Sequence, residues 1–370
     1  MAKSDASRIR FCLFILLVST LVGCDETETT VEGDWKVIRG DSLLQRTDSI
    51  GGLGNPRSLM SPTDTALYFV DWSLNGLHRY STSVGTLSSG TGIGQGPGQI
   101  RDESAYFLAP LSGRRIWLHD RQQGRVTIFD AALNTLEDIT ISGSMRTLPV
   151  KDSLLVTVPR VGDRVVDIRP LQRSQARIEG TRPDAVQRAY SAGTSKKFEP
   201  VGQNYALRYG PTASCGGSVI VGFEFSSFLI RARKDTIDVL EPPTSVPFPV
   251  QEGQARLPNW FNPKGTLDLA CDSSHIYSLF SGKHVSRSKV RTLDLSGRLT
   301  STKQAELSAQ TERSTHLHVY NRKEGAFAYE IQLPTAARKI AVNDKYLYVL
   351  RHRPDGPHIL HYSFINEKNE

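Results

Sequence analysis

The sequence predicts an all-β fold in which a four-stranded unit recurs around a ring. Three segments support this, because each holds two runs of β-branched and aromatic residues separated by a turn. They are residues 66–80 with the turn Asn75-Gly76, residues 115–130 with the turn Arg121-Gln-Gln-Gly124, and residues 346–362 with a turn at 354–356. Four short strands repeated every roughly 40 to 50 residues are typical of the blades of a β-propeller.

The repeats predict six blades rather than seven. Counted from their innermost strands, the blades begin near Arg57, Ser104, Met145, Tyr205, Thr266 and Arg338. The last blade has sequence for three strands only. We expect a strand from residues 35–50 to complete that blade, because pairing the two ends of the chain closes the ring and removes an exposed edge. Two sandwich domains are the rival all-β interpretation.

A glycine-rich stretch at residues 90–103 links the first two blades. It has five glycines and Pro97, which suit a tight crossover. Gly92-Ile-Gly94-Gln-Gly96-Pro97 lacks the third glycine of a dinucleotide motif, and neither a P-loop lysine nor a helical pattern follows it. The stretch therefore indicates a connection and not a phosphate site.

The first 34 residues are predicted to lie outside the fold. Arg8 and Arg10 precede an apolar run at residues 11–22, which suits a signal peptide (residues 1–23) and is too short to span a bilayer. Leu21-Val-Gly-Cys24 resembles a bacterial lipobox, and this resemblance implies that Cys24 carries palmitate and anchors the protein to the lipid bilayer of the cell envelope, on its periplasmic or surface face. An ordinary cleaved signal is the alternative. Residues 24–34 are an acidic, threonine-rich tether.

Residues 35–370 are expected to form a single propeller domain. The chain is 38% hydrophobic and 22% charged, as in folded globular proteins. Its formal net charge is +7, and the predicted signal peptide, with Lys3, Asp5, Arg8 and Arg10, contributes +2 of it, which leaves +5. This excess is too small for a nucleic-acid-binding surface. We expect a monomer that does not bind nucleic acid.

Two of the four cysteines occupy equivalent positions in neighbouring blades. Cys215 and Cys271 each precede the second strand of a predicted blade, in blades four and five. Such turns lie side by side near the propeller axis, so a disulfide between them is expected in an oxidising compartment. Two buried free thiols are the alternative.

Several motifs resemble the six-bladed propeller lipoproteins related to the TolB-like and NHL-repeat group. They are Gly94-Gln-Gly-Pro-Gly98, Tyr68-Phe-Val-Asp71, Ile116-Trp-Leu-His-Asp120, His318-Val-Tyr-Asn321 with Gly325-Ala-Phe-Ala-Tyr-Glu-Ile331, and Ile340-Ala-Val342. The resemblance covers most of residues 55–364. It implies the fold and supplies no catalytic residues, since propellers host many unrelated activities.

Long insertions are predicted on one face of the ring. In a blade with strands A to D from the inside outwards, B–C turns and D-to-A crossovers share a face. The insertions near residues 182–203, 242–263 and 285–314 all fall on it. Long loops in compact domains usually bind or cover something, so we expect this face to carry the function, with insertions that drifted there by chance as the alternative.

Basic residues gather on the same face, with aromatic residues among them. The candidate ligand-binding residues are Arg121, Arg125, Lys283, His284, Arg351, Arg353, Trp72 and Trp260. Arginine and lysine could bind a carboxylate, a sulfate or an anionic glycan, and tryptophan could stack on sugars. Solvated arginines and tryptophans packed between blades are the alternative. The predicted partner is thus an unidentified small molecule or protein.

The sequence gives little support for catalysis. It contains no H-E-x-x-H motif and no G-x-S-x-G motif, so we predict no catalytic residues, no metal ligands and no cofactor, with calcium left open. The alternative is a hydrolase or lyase with a metal-assisted site at the central channel, to which Asp71 and Asp120 could contribute. Such aspartates more often cap turns.

Overall fold

The structure is a computed structural model. It describes residues 35–92, 94, 99, 106–150, 153–160, 162–171, 177–179, 187–251, 254–255, 261–296, 298, 300–353 and 355–365. The predicted signal peptide and tether with Cys24, most of the glycine-rich crossover, and Trp260 lie outside the described residues.

The N-terminal described segment has two strands and a helical turn. They are β1 (Val37–Arg39), α1 (Gly40–Leu43) and β2 (Leu44–Ile50). The next three sheets follow in chain order. Blade one has β3 (Pro56–Thr63), β4 (Ala66–Asp71), β5 (Gly76–Ser81) and β6 (Thr86–Thr91), and blade two has β7 (Tyr106–Leu111), β8 (Arg115–Asp120), β9 (Arg125–Phe129) and β10 (Thr135–Ser142). Blade three has β11 (Ser144–Val150), β12 (Leu154–Pro159), β13 (Arg164–Pro170) and an outer strand, β15 (Arg188–Ser191). Between β13 and β15 the chain forms β14 (Arg177–Glu179), which pairs with β10 of blade two.

The second half of the chain completes the ring. Helix α2 (Glu199–Gln203) precedes blade four, which has β16 (Thr212–Ser214), β17 (Ser218–Phe223), β18 (Ser226–Arg233) and β19 (Ile237–Leu240), and a small hairpin of β20 (Val250–Gln251) and β21 (Gln254–Ala255) follows it. Blade five has β22 (Thr266–Cys271), β23 (His275–Phe280), β24 (Ser314–Asn321) and β25 (Phe327–Ala337), with α3 (Arg287–Leu295) and α4 (Ser301–Thr311) between β23 and β24. Blade six has β26 (Lys339–Val342), β27 (Tyr346–Arg353) and β28 (Gly356–Phe364). The six sheets confirm the predicted six-bladed β-propeller.

Strands from the N-terminal segment take part in the last two blades. β2 pairs antiparallel with β28, from Leu44 opposite Phe364 to Ile50 opposite Ile359, and is the outer strand of blade six. β1 pairs parallel with β25 in blade five. A strand edge that is paired in this way is closed to other chains.

Two boundaries differ from the sequence prediction. Residues 182–203, predicted as a loop, contain β15, whose side chains are exposed or half-buried and therefore lack the alternation of a core strand. Blade four begins at β16 and not near Tyr205, because residues Tyr205–Arg208 form a 3-10 turn. The Asn204 side chain starts this turn by accepting a hydrogen bond from the Ala206 N–H (3.0 Å).

The blade-five insertion at residues 285–314 folds as a helical hairpin. Val285, Val290 and Leu307 form its buried cluster. The Thr300 hydroxyl caps α4 by accepting a hydrogen bond from the Lys303 N–H (3.2 Å). The insertion connects β23 to β24, so it lies at the B–C turn of its blade.

A disulfide joins the inner strands of blades four and five. Cys215 follows β16 and Cys271 ends β22, and their Cα atoms are 5.5 Å apart. Both cysteines line a cavity of about 500 Å³ at the A–B turns, which is the face opposite the B–C turns.

His119 in β8 connects blade two to blade three. The ring is fully buried, and its Nδ1 accepts a hydrogen bond from the backbone N–H of Thr147 (3.1 Å). The Trp117 indole N–H donates to the carbonyl of the same Thr147 (3.0 Å). Nδ1 must therefore carry a lone pair, and burial lowers the pKa of His119 to about 4.

Because the pKa of His119 is lower in the folded state than in the unfolded chain, the unfolded chain binds more protons as the pH falls from about 6.5 to 4, and the protein loses stability over that range. We expect urea unfolding at pH 7 and pH 5 to show a loss about 2 kcal/mol larger for the wild type than for His119→Asn. Asparagine offers an acceptor oxygen without titrating. Equal losses in the two proteins would contradict the assignment.

Candidate anion-binding site

A cavity of about 410 Å³ opens at the centre of the ring on the face of the B–C turns. All six innermost strands reach it near their first residues, with Ser58, Tyr106, Met145, Thr212, Thr266 and Lys339 among the lining residues. The B–C turns contribute Trp72, Arg121 and Glu224, and the segment after α4 contributes Glu312. The cavity thus lies on the face that the sequence predicts to be functional.

The lining carries more positive than negative charge. Its cations are Arg57, Arg121, Arg146, Arg208, Arg338 and Lys339, and its carboxylates are Glu224, Asp268 and Glu312. These six cations and three carboxylates leave a formal excess of three positive charges. The cavity is therefore electrostatically suited to an anion.

Each of the three carboxylates has a cationic partner. Glu312 pairs with Arg338 (3.1 Å) and Asp268 with Lys339 (3.3 Å), and Glu224 forms an ion pair with Lys264 beside the cavity. Burial raises the pKa of Asp268, while Lys339 acts in the opposite direction. The negative charge of the lining is thus compensated locally.

Arg146 is a buried cation held by neutral acceptors. Its side chain is 2% exposed, and its Nη1 donates to the carbonyls of Pro211 (2.7 Å) and Gly222 (2.8 Å) while Nη2 donates to that of Arg208 (2.7 Å). Burial, with the charge of Arg121 as a smaller cause, lowers the pKa of Arg146 to about 9. The guanidinium therefore stays charged at neutral pH and adds positive potential to the cavity.

Arg208 is likewise a buried cation whose guanidinium donates hydrogen bonds to backbone carbonyls. It is 1% exposed and donates to the carbonyls of Pro159 (2.8 Å) and Arg164 (3.0 Å), and also to that of Gly162. Burial lowers its pKa. Arg146 and Arg208 thus tie the crossover before blade four to blade three.

Arg121 and Arg57 are held against aromatic rings at the cavity wall. The Arg121 guanidinium lies 4.5 Å from the centre of the Tyr209 ring and donates to the Tyr209 hydroxyl (2.9 Å). Arg57 lies 4.0 Å from the centre of the Trp72 ring. No carboxylate among the described residues pairs with Arg121. Stacking orients a guanidinium through its face and leaves the edge available for hydrogen bonds.

The potential is also positive at the blade-six side of the cavity. Burial is the main cause that lowers the pKa of His352, and the charges of Arg338, Arg313 and Arg57 lower it further. Arg338 Nη1 lies 3.5 Å from His352 Nε2. A group that resists protonation beside three arginines marks a region that favours anions.

The predicted ligand-binding residues fall into two groups. Arg121 and Trp72 line the cavity. Arg125 donates to the carbonyl of Gln99 and lies 4.0 Å from Asp138. The others do not line the cavity: Lys283 and His284 precede α3, Arg351 and Arg353 belong to β27, and Trp260 lies outside the described residues.

Four cavity arginines were not predicted from the sequence. These residues, Arg57, Arg146, Arg208 and Arg338, are more than 60 residues apart in the sequence, and no local motif marks any of them. A recurrence could have found three of them, because Arg57, Arg146 and Arg338 all lie at the beginning of an innermost strand. Arg208 sits in a turn and offers no such signal.

Asp71 and Asp120 cap turns. Asp71 accepts hydrogen bonds from the backbone N–H groups of Asn55 and Ser73 (both 2.9 Å), and Asp120 from that of Gln123 (3.0 Å). Within the described part of the chain, no three histidine, cysteine, aspartate or glutamate side chains are grouped to hold a metal ion. The described helices include none long and apolar enough to cross a membrane.

The contacts of Arg146 and Arg121 predict different effects on stability. Arg146→Met leaves several buried carbonyls without a donor, so the free energy of unfolding should fall by about 3 kcal/mol or more. Arg121→Met removes one hydrogen bond and a ring contact and should reduce it by about 1 kcal/mol or less. Urea denaturation of both variants tests this, and equal losses would contradict the separation of roles.

The chain resembles solved structures in fold, while no family model and no curated protein sequence matches it. A Bacteroides fragilis protein classed as exported aligns with a TM-score of 0.50 at 11% identity, covering 90% of this chain and 100% of its own. Virginiamycin B lyase from Staphylococcus aureus aligns with a TM-score of 0.45 at 10% identity, covering 87% of this chain and 99% of the lyase. At such identities the similarity concerns the fold alone.

Proposed function

We propose that this protein is an envelope-tethered propeller that binds an anionic small molecule or glycan, through a carboxylate or sulfate group, in the cavity at the B–C turns. The observation that carries the proposal is the charge balance of the lining. Its three carboxylates are paired, while Arg121 stacks on Tyr209 with no carboxylate partner among the described residues.

The buried arginines Arg146 and Arg208 contribute positive electrostatic potential to the cavity and no direct contacts to the ligand. Arg146 and Arg208 donate to carbonyls that hold the crossover in place, so most of their N–H groups are already used, although the buried Arg146 Nε has no hydrogen-bond partner among the described residues. Their charges persist in a region of low dielectric, where electrostatic interactions are strong. A ligand anion would gain from this field and make its direct hydrogen bonds to Arg121.

The size of the cavity suits a small ligand group. About 410 Å³ lies within the usual range for small-molecule sites. Arg121 can donate two parallel N–H groups to a carboxylate or sulfate, which is the strongest geometry for such recognition. A neutral molecule of equal size would leave the positive charge uncompensated.

Arg121→Gln should weaken binding of glucuronate about tenfold or more, since hydrogen bonds to charged groups contribute about 1.5–3 kcal/mol. Isothermal titration calorimetry with glucuronate, glucose and sulfate measures this. Arg188→Gln is the matched control, because Arg188 is exposed on the outer strand of blade three. Equal affinity for glucose and glucuronate, or an equal loss in both variants, would contradict the proposal.

The tether belongs to the same proposal and rests on Leu21-Val-Gly-Cys24. In bacteria labelled with radioactive palmitate, the wild type should incorporate label and sediment with membranes. Cys24→Ala should lose the label and appear in the soluble fraction, because one thiol accepts the acyl chain. Cys215→Ala controls for loss of any cysteine. Membrane association that survives in Cys24→Ala without label would argue against the anchor.

A further inference from the structure

Among the described residues, four cation–aromatic pairs have their ring at a B–C turn or at a crossover between blades, on the face that holds the cavity. The pairs and the distances from cation to ring centre are Arg57 with Trp72 (4.0 Å), Arg121 with Tyr209 (4.5 Å), Lys264 with Phe225 (4.3 Å) and Arg287 with Phe261 (5.8 Å). Each aromatic residue belongs to a B–C turn or to a crossover between blades. The pairs therefore share one surface.

The pairs follow each other outwards from the cavity. The first two line it. Lys264 is buried and forms an ion pair with Glu224 of the lining, so it connects the cavity wall to the next pair and is not itself available to a ligand. Phe261 lies three residues before Lys264. The Lys264 N–H also donates to the carbonyl of Lys283 (2.9 Å), four residues before Arg287. The surface thus continues from the cavity wall to the beginning of α3.

Helix α3 extends the positive charge into solvent. Arg287, Lys289 and Arg291 are exposed, while Val290 is buried in the apolar cluster of the helical hairpin. No ion pair of these three cations occurs with any described carboxylate. Arg287 and Arg291 are four residues apart, so they lie on one side of the helix.

We propose that the ligand is a linear acidic oligosaccharide, one end of which occupies the cavity while further acidic sugars extend over the same surface to the exposed cations of α3. This rests on the proposed function and adds the length of the ligand. A chain of acidic sugars carries a carboxylate or sulfate at regular intervals, which matches a series of separated cations. A flat bilayer could contact α3 but not Arg121 inside the cavity.

Oligogalacturonates of one to six units test the proposal by titration calorimetry. We expect the hexamer to bind about tenfold tighter than the dimer. The double variant Arg287→Gln and Arg291→Gln should lose most of that tenfold difference, because it removes the exposed charges that only the longer ligand reaches, and should bind the dimer as the wild type does. Arg121→Gln should weaken both ligands.

The matched control is the double variant Arg39→Gln and Arg188→Gln, which removes the same charge from exposed outer strands. A loss of hexamer affinity in this control as large as in the α3 variant would show a general charge effect and overturn the proposal.

Equal affinity for dimer and hexamer, with a loss in Arg121→Gln, would overturn the oligosaccharide and leave the anion site standing. No binding of any acidic sugar would overturn both. Binding to phosphatidylglycerol vesicles without binding to the hexamer, with loss in the α3 variant, would overturn the proposal in favour of a membrane surface.

Discussion

The pairing of β2 with β28 is the constraint on which the rest of the structure depends. The strand ladders of a propeller run within its blades, and neighbouring blades are connected mainly by side-chain packing and by side-chain hydrogen bonds such as that of His119 with Thr147. The antiparallel ladder from Leu44 to Ile50 joins the N-terminal segment to the last blade. The six innermost strands of the ring bring their first residues around a single cavity.

Buried guanidinium groups connect neighbouring blades through hydrogen bonds, as backbone hydrogen bonds connect the strands within a blade. Arg146 belongs to blade three, yet its acceptors are the carbonyls of Arg208, Pro211 and Gly222 in and before blade four. Desolvating a charge is unfavourable unless its hydrogen bonds are satisfied. Several carbonyls accept most of these hydrogen bonds without neutralising the charge of Arg146, so the cavity retains a positive electrostatic potential.

The sequence predicts the fold well because each blade contains hairpins that can be recognised from a short local pattern. Hairpins such as β4 with β5 combine two runs of mostly buried residues with a turn in which Asn75 adopts a φ of 60°, a conformation that asparagine tolerates. β15 was missed because it is polar and lies at an outer edge, where packing imposes no pattern. Arg121 could be assigned to the functional face from its turn alone. Arg146 and Arg208 could not, since each becomes part of the site only through contacts with residues far away in the sequence.

On the proposed function, stability and ligand recognition depend on different arginines of the same cavity. The charges of Arg146 and Arg208 are fixed by the fold and need no rearrangement when an anion enters, which is the condition for a preorganised electrostatic site. Arg121 is oriented by Tyr209 from the crossover before blade four, so its position depends on the packing of that crossover against blade two. Glu224, Asp268 and Glu312 limit the field to an excess of three charges. On the proposed function, this excess attracts the acidic group that enters the cavity, and a longer acidic ligand would place its further charges along α3.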